Sequence, residues 1–134
     1  MNMPTTYLIG DSSRLLRRSF DNRVRALGVT GPQARLLLVL SVAEGENQGY
    51  YAERLDVEPI TLCRMVDRME EAGLLERRRD PADRRAWLVH LTPRSRPMID
   101  GLRGCVEQLD RDMQDGLAPA ERTAPAVRVR GVPV

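Results

Sequence analysis

A mainly α-helical fold with one small β-hairpin is what this chain predicts, on three observations. Apolar residues recur at spacings of three and four through most of its 134 residues, as on the buried stripe of a helix. Two of the helical segments are separated by only Asp56-Val57-Glu58. Strict alternation appears late, where Trp87, Val89 and Leu91 interleave with Ala86, Leu88 and His90 behind a turn of Asp, Pro and Arg. The length fits about one domain.

The first helix is expected over residues 11–26, capped by Asp11 or Ser12 and left at Gly28, with Leu16, Phe20, Val24 and Leu27 as its stripe. Thr30 and Gln33 form a capping box for a second helix reaching Glu44. Its Leu36, Leu37, Leu38, Val39, Leu40 and Val42 point almost all round and make it the central element. Asn47 caps a short helix over 48–55, and Pro59 suits the first position of the next, over 59–72, because its missing N–H costs nothing there. Leu62, Val66 and Met69 face inward on that helix, and Thr61, Arg64 and Arg68 face out. Gly73 and Leu74 read as a Schellman end. Two helices joined by a short turn, the second basic outside, make a helix-turn-helix, and the hairpin of 74–79 and 86–91 with Arg84-Arg85 at its tip is a wing. Thr92-Pro93 opens a last long helix with Ser95 as its effective cap, because Pro97 disfavours an earlier start. Met98, Leu102, Cys105 or Val106, Leu109, Met113 and Leu117 form its stripe, and Gly101 and Gly104 imply close packing or bending. Beyond Pro119 no helical pattern remains.

Composition excludes several function classes. No apolar run approaches the length of a membrane span, and no secretory signal opens the chain, so a cytoplasmic protein without a membrane partner is expected. Cys63, Cys105 and His90 cannot assemble a zinc site, and no cofactor is expected. Nucleophile-elbow, phosphate-loop and dinucleotide motifs are missing, and His90 reads as an ordinary surface residue, so the chain is not expected to be an enzyme. Asp80 and Asp83 read as turn-forming, Arg-paired residues. Cys63 is either a redox-sensitive thiol beside Arg64 or a small half-buried core residue, and Cys105 packs.

All 21 basic residues are Arg, and from Arg64 to Arg96 nine Arg face six acids. That excess suits a polyanion, and with five aromatic residues in the chain, duplex DNA fits better than single strands that need stacking platforms. Arg64 and Arg68 either read guanine together in a major groove beside Thr61 or form a solvated face paired with Asp67 or Glu71. Arg84 and Arg85 suit a narrow minor groove or simply solvate a turn. Among the consecutive Arg77, Arg78 and Arg79, strand alternation sends neighbours to opposite faces, and Arg77 and Arg79 are taken as phosphate contacts.

Leu27-Gly28-Val29-Thr30 with Gln33, Ala52-Glu53-Arg54-Leu55, Val66-Asp67-Arg68-Met69-Glu70-Glu71-Ala72-Gly73-Leu74, and Asp80-Pro81-Ala82-Asp83-Arg84-Arg85 leading to Leu91-Thr92 form a set of motifs in fixed order. On these residues the segment 28–92 resembles the MarR family of winged helix-turn-helix regulators. The resemblance implies a homodimer that represses from a near-palindromic operator and is released by a small aromatic or phenolic effector or by oxidation. It implies that Thr61 and Arg64 reach bases, that Arg85 enters the minor groove, and that Asp83 braces the wing. The corresponding division is a dimerisation helix over 1–28, a DNA-binding domain over 29–93, a long dimerisation helix over 94–118 and an atypical, flexible tail over 119–134. The family's Lys-Gly after Leu-Thr is replaced here by Arg94-Ser95, and the first helix carries no cysteine of the redox-sensing kind. Residues 117–121 look like the approach to a final dimerisation helix that the sequence from Thr123 does not support, which predicts a weakened dimer. The rival reading is a winged helix that has become a protein-interaction module with weak, sequence-independent DNA binding.

Overall fold

The computed structural model describes residues 3–115. Expectations about Leu117, the segment 117–121 and the tail 119–134 lie outside them. The elements follow in the order α1 (Thr5–Val24), α2 (Gly31–Val42), α3 (Gln48–Arg54), α4 (Pro59–Glu71), β1 (Leu75–Arg79), β2 (Trp87–Leu91) and α5 (Arg96–Gln114), with 3₁₀ turns at Arg25–Leu27 and Pro93–Ser95. This is a winged helix-turn-helix with one long helix on either side.

Helix α2 is the centre. The Thr30 hydroxyl accepts from the Gln33 N–H at 3.3 Å, and the Gln33 side-chain oxygen accepts from the Thr30 N–H at 3.1 Å, so two orphan donors of the first turn are satisfied reciprocally. Ala34, Leu36, Leu37 and Leu40 are fully buried, and α1, α5 and β2 all pack on this helix. Val42 is 75% exposed, so the expected apolar surround stops short of the helix end. At the centre of the helix-turn-helix, α4 contributes Leu62, Met65, Val66 and Met69 to the same core.

Helix α1 begins six residues earlier than its expected Asp11 start. Pro4 precedes it with an extended backbone, and between Thr5 and Asp11 the residue most opposed to a helix is Gly10, at a cost of about 1 kcal/mol. Asp11 is therefore an interior residue, 3.8 Å from Arg14 one turn on. The added turns leave Tyr7, Leu8 and Ile9 exposed.

Two helix ends follow from local chemistry. After α4, Gly73 takes φ 75°, the Leu74 N–H donates to Met69 O and the Gly73 N–H to Glu70 O, which together make the Schellman end. Ser95 stands at the N-cap of α5, but its hydroxyl donates to Thr92 O at 2.8 Å and caps nothing. The close approach expected of the α5 glycines is real at one of them. A Cβ on Gly101 would sit 3.2 Å from Leu27, whereas Gly104 faces open space.

β1 and β2 are antiparallel, with Leu75 opposite Leu91, Arg77 opposite Val89 and Arg79 opposite Trp87. The loop after α2 adds a short third rung. Gly45 N donates to Val89 O, Val89 N donates to Glu46 O, and Asn47 bridges to Leu88. His90 is half-buried rather than an ordinary surface residue, with Nδ1 3.6 Å from Glu44 Oε1, which also accepts the Leu91 N–H.

Tyr51 locks α2 to α3 from inside the core. Its hydroxyl donates to Ala43 O at 2.6 Å and accepts from the Glu46 N–H at 3.1 Å. Burial pushes the phenol above its ordinary pKa. The folded state thus holds the proton more tightly, and this contribution is complete below the usual tyrosine pKa and lost as pH rises through the raised one. Tyr51→Phe leaves Ala43 O and the Glu46 N–H without this partner. We expect it to cost about 1–3 kcal/mol at neutral pH and to flatten the alkaline loss of stability, measured by urea unfolding at both pH values.

Candidate nucleic-acid interface

At roughly 100° per residue the sequence of α4 lays out three stripes about a third of a turn apart. Leu62, Met65, Val66 and Met69 face the core. Cys63, Asp67 and Glu70 face the hairpin, where Arg77 reaches all three. Thr61, Arg64 and Arg68 face outward and line a groove of about 300 Å³ with Thr30, Pro32 and Gln33 from the start of α2. The structure therefore brings Thr61, Arg64 and Arg68 to one surface.

The alternative in which Arg64 and Arg68 pair with nearby acids is not what the structure shows. Among the described residues no ion pair engages Arg64, Arg68, Arg84 or Arg85. Asp67 instead lies 2.5 Å from Arg77 Nη2, and Glu70 lies 2.9 Å from Nη1. Arg77 Nε donates to Gln48 Oε1 at 3.0 Å, and Nη2 also reaches the Cys63 carbonyl. The Glu70 carboxylate additionally accepts the Arg77 backbone N–H at 2.8 Å. Burial opposes the Arg77 charge, yet hydrogen bonds to Asp67 and Glu70 outweigh it and raise the pKa above its ordinary value.

The expectation of Arg77 as a surface phosphate contact is corrected here, because its side chain is only 16% exposed and its donors are engaged inside the protein. It joins α3, α4 and β1. The physical reason is register. Arg77 sits opposite the buried Val89, on the hairpin face that carries Leu75 and Leu91 to the core, so its charge must be compensated within the protein. Gln48, Asp67 and Glu70 supply that compensation, and sequence reasoning does not single them out. The available signal is the alternation itself, which places an Arg on the inward face of a strand.

Arg79 is exposed, yet it too is engaged. Its guanidinium lies 4.4 Å from the Trp87 ring centroid, and Nη1 donates to Arg84 O. Arg78 points the other way and pairs with Glu76 at 2.5 Å. At the tip, Asp80 Oδ1 accepts the Ala82 N–H and Asp83 Oδ1 accepts the Arg85 N–H, so both acids shape the turn through backbone donors rather than through Arg side chains. Arg84 and Arg85 extend exposed from this turn. Cys63 is half-buried, its sulfur 4.0 Å from Arg77 Nη2.

If Arg77 is the joint between α4 and the hairpin, Arg77→Lys loses the fork while keeping the charge. We expect it to destabilise the chain by about 1–3 kcal/mol in urea unfolding and to speed amide exchange across β1 and β2.

The surroundings of this site are shared with known proteins. A sequence model of the MarR family matches residues 27–86. A protein named for transcriptional regulation of the hcr operon in Thauera aromatica is 32% identical over 95 residues, which cover 71% of this chain and 57% of that protein, little over half of its length. The fold superposes on wild-type apo MarR from E. coli with a TM-score of 0.83 at 25% identity, covering 90% of each chain. It superposes on a cysteine-to-serine mutant of E. coli MarR complexed with operator DNA with a TM-score of 0.78 at 25% identity, over 89% of this chain and 86% of the other. The sequence model spans the helix-turn-helix and most of the wing, and these solved structures match nearly end to end, so the chain is similar to the MarR family in sequence over residues 27–86 and in fold along nearly its whole described length.

Proposed function

We propose that this protein is a DNA-binding transcriptional regulator, a repressor that occupies a near-palindromic operator as a homodimer and is released by a small aromatic or phenolic effector. The observation that carries the DNA reading is the division of charge on α4. Its acids Asp67 and Glu70 are paired with Arg77, while Arg64 and Arg68 stand outward beside Thr61 without an acidic partner among the described residues. Two cations one helical turn apart on an exposed face match the acceptors O6 and N7 of guanine in a major groove. Arg84 and Arg85, held out on a hairpin tip, match the negative potential of a minor groove. Arg77 supports this surface from within, and Arg79, exposed on the hairpin, is engaged by the Trp87 ring and the Arg84 carbonyl.

The homodimer is supported by the flanking helices. Leu8, Ile9 and Leu15 of α1 and Val106 and Met113 of α5 are exposed, and α1 and α5 enclose an open, largely apolar groove of about 350 Å³ that includes Leu15, Leu16, Leu109 and Met113. Arg23 and Asp112, 2.7 Å apart, tie the two helices, and that hydrogen bond holds the Asp112 carboxyl below its ordinary range. The tie is therefore complete above the usual carboxylate pKa and is lost as pH falls through the lowered one. A two-fold axis through this face sets two α4 helices on half-sites about one helical turn apart. Sedimentation at micromolar concentration should give a mass of two chains, and a single-chain mass would contradict the dimer. Release by an effector enters the reading through the family.

Two substitutions separate the roles of helix and wing on duplex DNA taken from upstream of the protein's own coding region. Arg64→Ala should cost about 1–3 kcal/mol on that DNA and relax base preference at one position of each half-site. Arg85→Ala should weaken binding on any sequence and reduce the salt slope by about one per wing. Fluorescence anisotropy at two salt concentrations, with scrambled DNA as comparison, reads both, and equal losses on the two DNAs for Arg64→Ala would sink the base-reading role.

A further inference from the structure

The outer half of the hairpin has no core behind it. On the face it shares with the core, Leu75 and Leu91 are buried at the base, Arg77 and Val89 are covered by α4 and α3, and Arg79 and Trp87 are exposed at the far end. A two-stranded ribbon without a packed face is marginal in water, so the last pair must supply its own contact. The Arg79 guanidinium does so by lying over the Trp87 ring. A planar guanidinium stacked in this way still has its in-plane N–H groups free to donate, which a lysine ammonium does not combine.

Arg79 Nη1 bonds the carbonyl oxygen of Arg84, and the N–H on the other side of the same peptide unit, that of Arg85, donates to Asp83 Oδ1 at 3.0 Å. One peptide plane, the one joining Arg84 to Arg85, is thus gripped at both its polar ends. Arg84 and Arg85, the two arginines at the wing's tip, leave the chain from the two sides of that plane.

We propose that Arg79, seated on Trp87, is a positioning residue: it clamps the Arg84–Arg85 peptide against Asp83 and so fixes the direction in which the two guanidiniums meet the minor groove. This rests on the reading of the hairpin as the minor-groove element. It gives Trp87 a function as the platform of the clamp, and it makes Arg79 act on DNA through its neighbours rather than through a phosphate of its own.

The test is a double-mutant cycle on the full chain. R79M should weaken binding to the upstream duplex roughly fivefold, as expected for loss of an exposed stack and one hydrogen bond. In an R84A/R85A background, where there is nothing left to position, R79M should change affinity less than about twofold and leave the salt slope unaltered. An equal loss in both backgrounds, or a drop of about one in the salt slope of the R84A/R85A chain, would overturn the proposal and make Arg79 a direct contact or a general structural support. Trp87 is the only tryptophan, so acrylamide quenching of the free protein reads the stack without DNA. R79M should raise quenching, and no change would equally overturn the clamp. If the unaltered chain fails to bind the duplex, the DNA reading falls and this proposal with it. That outcome differs from failure of the clamp alone, in which the unaltered chain binds and only the cycle disagrees.

Discussion

The structure depends on one compensated charge. The hairpin can meet α4 only if the face carrying Leu75, Val89 and Leu91 turns inward, and that register brings Arg77 in with them. A guanidinium in this position is costly unless several acceptors surround it. Gln48, Asp67, Glu70 and the Cys63 carbonyl are those acceptors, contributed by α3 and α4. The angle between wing and helix is therefore set by hydrogen-bond geometry rather than by apolar packing alone, and a planar fork with fixed donor directions is suited to that task.

The same arrangement determines the electrostatics of the outer surface. Asp67 follows Arg64 by three residues, and on an isolated helix it would sit within reach of that arginine and offset its charge. Occupied by Arg77, Asp67 and Glu70 leave Thr61, Arg64 and Arg68 as a basic stripe along the groove beside α2. The wing follows a similar logic at smaller scale, its two aspartates binding backbone N–H groups while Arg84 and Arg85 project from its tip. Internal pairing of acids, more than the modest net charge of +2, produces a surface fit for a polyanion.

Much of this is legible in the sequence because local rules do not conflict with the tertiary structure. The Thr30–Gln33 box, the Asn47 cap, the Gly73 exit and the Trp87–Leu91 alternation each specify a short-range geometry that packing then accepts. The start of α1 is not legible, because Asp11 and Ser12 resemble a cap and the preceding Tyr7, Leu8 and Ile9 are exposed, with no place in this chain's core that would mark them as helical. The outward placement of Thr61, Arg64 and Arg68 follows from helical spacing. The roles of Arg77 and Arg79 escape a reading of the sequence because their partners lie on other elements or are backbone atoms. Alternation puts a member of the arginine run on the inward face, and the register against Val89 makes that member Arg77. His90 escapes it for a related reason, since Glu44, the residue beside it, lies far off in the chain.

In the proposed function, one rigid unit, α4 and the wing joined through Arg77, presents the duplex with a major-groove reader and a minor-groove probe at a fixed separation. Hydroxyl-radical footprinting of the unaltered chain on the duplex upstream of its own coding region tests this most directly, because the radical attacks along the minor groove. Two symmetric zones of protection are expected, with the wing-facing minor grooves flanking each half-site and half-site centres about one helical turn apart. A uniform or absent footprint, or protection without that two-fold spacing, would contradict this arrangement.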